Sequence, residues 1–185
     1  MICSRIICSL SIIWLLAVPV ADAADAVPAA YHLIAAEYSL PPMLLYSVAL
    51  TESGIRKNNT RKTPWPWAVN HAGKGIFFET RQEAYDYLSQ VLRDGQKNFD
   101  VGLMQVNWYW NHHVFDSSLW NALDPYTNLR GGASIIRAQY HRLGSFEKAV
   151  GAYHSPGNNA RAEAYRERVR SNLAIIISDT SRRRF

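Results

Sequence analysis

"PPMLLYSVALTESG", residues 41–54, sets an apolar run against a single carboxylate, Glu52. Two prolines open the run. Proline fits the first turn of a helix, where its missing N–H has no intrahelical acceptor and its fixed φ is already helical. Leu44, Leu45, Val48 and Ala49 follow at helical spacing. The spacing predicts a helix over about 42–53 with a core stripe, stopped at Gly54. Glu52 lies where the apolar face runs out. From position alone it is either a solvated helix-end glutamate or an acid held in a half-dry cleft. Burial beside Leu50, Ile55 and aromatic residues would raise its pKa, because desolvation disfavours the charged form. A glutamic acid protonated near neutral pH can donate to a glycosidic oxygen.

Working outward, "YHLIAAEY" at 31–38 has helical spacing and is broken by Ser39-Leu40-Pro41-Pro42. Two short apolar runs flank "NHAGKG" at 70–75 and predict a β-hairpin with glycines in its turn. Thr80 and Glu83 form a capping-box pattern ahead of a helix through "RQEAYDYLSQVLRDG", which Gly95 ends. "FDVGLMQVNWYWNHHVF", residues 99–115, is apolar, aromatic and amide-rich without clean periodicity. "SSLWNALDPYTN" reads as a turn-rich connector. Helices are expected within 128–144, within 145–155 with Ser145 as cap, and over 160–177, with a loop at 156–159. About six helices and one hairpin make a mainly α domain with a small β-hairpin insertion.

A chain of 185 residues, 48% hydrophobic and 12% aromatic, is long and apolar enough for one domain with a core. Arg5, an apolar run over 6–18 and Ala21-Asp22-Ala23 have the layout of a secretory signal, 1–23, cut after Ala23. The apolar run is short for a bilayer span, so no stable membrane span is expected after cleavage. Both cysteines, Cys3 and Cys8, fall inside that signal. The exported chain is then expected to hold no disulfide and no thiolate metal site. Residues 24–30 read as a small-residue linker, 31–177 as the domain with an insertion at about 57–99, and 178–185 as a basic tail. The net charge of +5 suits an anionic wall, and export argues against nucleic acid as a partner.

Among the chemical candidates, the histidines lack zinc-site spacing, and "GKG" at 73–75 lacks a P-loop frame. No Gly-x-Ser-x-Gly elbow is present. No cofactor and no metal is expected. Gln105 and Asn107 in "GLMQVN" offer amide groups suited to N-acetyl and hydroxyl groups of amino sugars. Trp65, Trp67, Trp108 and Trp110 offer flat apolar faces for sugar rings or for the core. Asn128 and Tyr153 add polar groups on later helices.

Glu52-Ser53, Gly102-Leu103-Met104-Gln105, Asn128-Leu129 and Ala152-Tyr153 occur in this order. Together they resemble the SLT-type lytic transglycosylases of the lysozyme-like superfamily, over roughly residues 40–173. The resemblance implies a lysozyme-like (SLT) fold and a peptidoglycan substrate. It makes Glu52 the catalytic acid and base, with Ser53 orienting the carboxyl group or the substrate. Met104, Gln105 and the neighbouring Asn107 become groove residues. Asn128 begins the helix packed behind the site, and the Tyr153 hydroxyl reaches the carboxyl region. Such enzymes cleave the β-1,4 bond between N-acetylmuramic acid and N-acetylglucosamine and close a 1,6-anhydro ring. One carboxylate then suffices where standard glycosidases use two. Asp100 and Asp116 remain possible second acids.

Two features depart from the family pattern. Fifty positions separate Glu52 from Gly102 (102 minus 52), far more than the compact pattern has. The excess could wall the groove, bind a partner or serve as a structural lid. The usual Ala-Tyr-Asn is Ala152-Tyr153-His154, and His154 either replaces the asparagine's hydrogen bonds or titrates near neutrality. The long insertion resembles that of transglycosylases encoded with conjugation, type IV secretion or pilus systems. That resemblance implies a periplasmic enzyme opening the wall locally, with apparatus proteins as partners. The alternatives are a goose-type lysozyme-like hydrolase and a non-catalytic glycan-binding scaffold.

Overall fold

A computed structural model describes residues 26–58 and 61–182. The signal expected over 1–23, with Cys3 and Cys8, lies outside the described residues, as do the first part of the linker and residues 183–185. Helix α1 covers Ala29–Glu37, and α2 covers Pro42–Ser53 with Pro42 in its first turn. The apolar stripe of α2 proves to be wider than its spacing indicates. Residues 45–50 are all buried, and so is Ser53. A helix covered on every side is the centre of a domain. The last helix, α8 (Asn159–Arg182), packs on it, as do α1 and the short strand at Thr63–Pro64.

Gly54 ends α2 for a reason other than a left-handed cap. Its backbone is extended, with φ −68°. The requirement is space: a Cβ there would lie 2.3 Å from the Leu50 carbonyl oxygen and 2.4 Å from Lys62 Cε. The chain leaves α2 straight into β1 (Gly54–Ile55), which pairs antiparallel with β2 (Thr63–Pro64).

The expected hairpin forms from β3 (Ala68–His71) and β4 (Lys74–Phe77). Its two turn residues, Ala72 and Gly73, both have positive φ, which matches the right-handed twist of the strands. The aperiodic segment supplies two more strands, β5 (Phe99–Val101) and β6 (Val106–Asn107). The β-region is therefore a four-stranded antiparallel sheet, ordered β4-β3-β5-β6. Strands of three and two residues are too short to show a period of two. Helix α3 (Arg81–Arg93) follows the capping box, with both Thr80–Glu83 bonds made.

The connector contains helix α4 (Trp108–Asn111), a 3-10 turn at His112–Phe115 and helix α5 (Leu119–Ala122). Asp124 caps α6 (Pro125–Leu143), and Ser145 caps α7 (Phe146–His154). Helices α6, α7 and α8 pack in sequence. The structure is mainly α and lysozyme-like, with eight α-helices among the described residues. Ala26 and Val27, within the stretch read as a linker, are buried in the core. Helix α8 runs on through 178–182, where a tail was expected, and Asp179 there pairs with Arg61 at 2.8 Å.

Candidate active site

Residues 102–105 make a tight loop between β5 and β6, with positive φ at Gly102 (81°) and at Gln105 (46°). Asn128 holds this loop from behind. Its Oδ1 accepts from the Met104 N–H at 2.9 Å, and its Nδ2 donates to the Val101 and Ala122 carbonyls at 2.9 Å. A Cβ at Gly102 would strike that amide at 2.3 Å, so glycine is required by both shape and φ. Ser53 ties the other side, donating to the Leu103 carbonyl at 2.7 Å. Asn128, Met104 and Ser53 are all buried. None of the three lines the cleft, where groove residues were expected, and their bonds hold the frame of the loop. Their polar groups are taken up within the frame: Ser53 by the Leu103 and Ala49 carbonyls, Asn128 by Met104, Val101 and Ala122.

What the frame positions is Glu52, on the last turn of α2. The side chain is part-buried and opens on a cleft of about 940 Å³. Its Oε1 accepts from the Tyr165 hydroxyl of α8 at 2.6 Å. Burial pushes the Glu52 carboxyl up to about 7. The Tyr165 bond and Arg168 pull the other way, and Asp100 adds to the rise. Tyr165 is fully buried, and desolvation followed by the Glu52 charge holds its phenol well above the ordinary range, so it stays a donor. Asn172 on the same helix donates to Thr51 Oγ1 at 2.8 Å, fixing α8 against the turn that carries Glu52.

The sheet supplies the facing wall of residues, Ala68, Asn70, Phe77 and Asp100 among them. Asp100 Oδ1 accepts from Asn107 Nδ2 at 2.9 Å, and its Oδ2 accepts from Asn70 Nδ2 at 3.0 Å. Burial raises its pKa against those two bonds. Asn107 also caps α4 through Trp110 N–H. Gln105 lines the cleft while its Nε2 donates to the Ala68 and Gly102 carbonyls, at 3.0 and 2.9 Å. Its side-chain oxygen remains for a ligand donor. Asp116 is absent from the cleft lining and sits in a left-handed turn after the 3-10 segment.

Tyr153 and His154 both line the cleft. The Tyr153 hydroxyl donates to the Met104 carbonyl at 2.7 Å rather than to Glu52, whose tyrosine partner is Tyr165. His154 stacks flat on Tyr165, with centroids 4.5 Å apart and planes 3° from parallel. Its pKa is lowered by desolvation first and Arg168 second, with Asp100 opposing. Of the four tryptophans singled out, only Trp110 lines the cleft, and it is 72% exposed. Trp108 is core, stacked on Phe99. Trp65 anchors its loop by donating to the Phe78 carbonyl at 2.7 Å.

A part-buried acid opening on a cleft that also carries amides and an exposed indole suits general-acid chemistry on a glycan. The family model of the transglycosylase SLT domain matches residues 31–175. The chain belongs to the SLT-domain transglycosylases. Comparison with curated proteins and with solved structures gave no significant match. The SLT domain makes this chain a lytic transglycosylase with peptidoglycan as its substrate class.

Within this SLT domain, Tyr165, Asn70, Phe77 and Arg168 join the site without having stood out in the sequence. A signal existed for Tyr165: Ala162, Tyr165, Val169 and Ile176 are the buried positions of α8, at helical spacing. Its partner lies 113 residues away, and no local pattern encodes that pairing. Among the described residues, no group of three His, Cys, Asp or Glu side chains is placed to hold a metal ion.

Proposed function

We propose that this SLT-domain protein cleaves the β-1,4 bond between N-acetylmuramic acid and N-acetylglucosamine with Glu52 as sole acid and base. The observation that carries the reading is the desolvated Glu52 carboxyl, bonded by Tyr165 and open to the cleft. With its pKa near 7, the acid is substantially protonated at neutral pH. Its proton goes to the glycosidic oxygen as the bond to the muramoyl C1 breaks. The N-acetyl group stabilises the cation. The muramoyl C6 hydroxyl then bonds to C1, and its proton returns to the Glu52 carboxylate. One proton leaves and one returns, so no water is consumed.

A second reading is supported by Asp100, a carboxylate on the same cleft. Paired with Glu52, it could position water, and the enzyme would then be a hydrolase. Product analysis on purified sacculi separates the two. Anhydro-muropeptides support cyclisation, whereas reducing ends that vanish in Asp100→Asn support hydrolysis. Full activity in Glu52→Gln would refute both.

The signal layout at 1–23 supports export and a periplasmic site of action. The basic charge suits an anionic wall. The resemblance of the long insertion to that of transglycosylases encoded with conjugation, type IV secretion or pilus systems supports a role in local wall opening for a secretion or conjugation machine, and α3 offers an exposed face for a partner. Co-purification of such apparatus with wild-type protein, lost when α3's exposed face is changed, is the test.

A further inference from the structure

Three cations lie close to the turn that carries Glu52. Arg56 follows β1, Lys62 precedes β2, and Arg168 projects from α8 into the cleft lining. The register that pairs Ile55 with Thr63 sets Arg56 across from Lys62. Like charges facing each other across a ribbon repel. The arrangement is nonetheless fixed on both flanks. Lys62 lies over Gly54, two residues beyond Glu52, where no side chain would fit. The Arg61–Asp179 pair fastens the ribbon to α8. Among the described residues, Arg56, Lys62 and Arg168 form no ion pair, whereas Arg61 on the same ribbon and Arg166 and Arg170 on the same helix do. Lys62 is held below its ordinary range by burial, then by Arg56 and Arg168, so the three fields overlap. Arg168 also acts on Glu52 and lies over the Tyr165 ring, which places it at the Glu52 end of the cleft, while Arg56 and Lys62 stand outside the cleft lining on the ribbon that follows Gly54.

We propose that Arg56, Lys62 and Arg168 form a subsite for the carboxylates of the peptide stem carried by the muramoyl residue at Glu52. The inference rests on the reading of the cleft as a site of muramoyl cleavage. In that reading the reacting ring is the one bearing the lactyl ether, from which the stem departs. A stem therefore leaves the glycan beside Glu52, and its carboxylates are the substrate's own anions at that point. A guanidinium forks onto a carboxylate with two parallel bonds, and an ammonium adds a point charge. Anion binding would also relieve the repulsion between Arg56 and Lys62.

Binding to the full-length Glu52→Gln protein tests this without turnover. Glycan oligomers of one length are compared in three forms: with stems, with stems whose carboxylates are converted to amides, and without stems. Stem-bearing oligomers should bind roughly three- to tenfold tighter than either other form, the range that a few partly exposed charge pairs supply. The preference should shrink toward one in Arg56→Gln/Lys62→Gln, and for the unaltered cluster in about 0.3 M salt. Equal affinity for the three forms overturns the proposal. So does a preference that survives amidation, the double substitution or salt. If wild-type enzyme yields anhydro products while the three forms bind alike, only the stem subsite falls. If binding follows stem charge but no anhydro product forms, the cleavage reading falls and the subsite stands.

Discussion

Glu52→Gln should make the protein more stable at alkaline pH and leave it almost unchanged at acid pH. The carboxyl titrates near 4.5 when free and near 7 in the fold. The folded state therefore holds its proton to higher pH than the unfolded chain does. Between these values stability falls as pH rises, and above about 7 the whole cost is present. At about 1.4 kcal/mol per pH unit that cost is about 3 kcal/mol, and water in the open cleft trims it to about 2–3 kcal/mol. Glutamine is neutral throughout, and its oxygen still accepts from Tyr165, so the substitution removes the cost and keeps the bond. Urea unfolding at pH 8 should show the full gain, with Tm higher by about 5–10 °C. At pH 4.5 the two proteins should differ by less than about 0.5 kcal/mol. No gain at pH 8 would refute the desolvation of Glu52. A gain equally large at pH 4.5 would assign the effect to packing instead.

Tyr165→Phe removes the hydrogen bond that favours ionised Glu52. The alkaline limb of kcat/KM, where the acid form is lost, should move up by about one pH unit or more, as read from a pH profile of muropeptide release. An unmoved limb would separate Tyr165 from the titration. Asn128→Ala leaves the Met104 N–H and the Val101 and Ala122 carbonyls without their partner. It should cost about 3–5 kcal/mol, measured by the urea midpoint. Trp110→Ala should raise KM for glycan several-fold with a stability change within about 0.5 kcal/mol, because the indole is exposed. A calorimetric scan beside steady-state kinetics checks both halves.

The helical frame was legible in the sequence because its cues are local. Pro42 in a first turn, the Thr80–Glu83 box and the Ser145 cap each act within four residues. The sheet was half legible. The β3–β4 turn announces itself, while β5 and β6 are too short for a period and exist because β3 pairs with β5 across about thirty residues. The family motifs led to the site without giving each residue's direction. Ser53, Met104 and Asn128 lie in those motifs because they lock the loop, and a motif records packing and chemistry alike.

By itself the sequence determined that a single glutamate ends an apolar helix, and that an amide-rich glycine loop and a tyrosine-bearing helix follow it. Only the tertiary structure decided which groups face Glu52. Tyr165 reaches it from 113 residues away, Asp100 joins it across the cleft, and Tyr153 turns instead to the Met104 carbonyl. The physical reason is that a carboxyl's acidity depends on desolvation and on charges a few ångströms away. Those distances are set by how α2, α8 and the sheet pack, and chain order leaves them open.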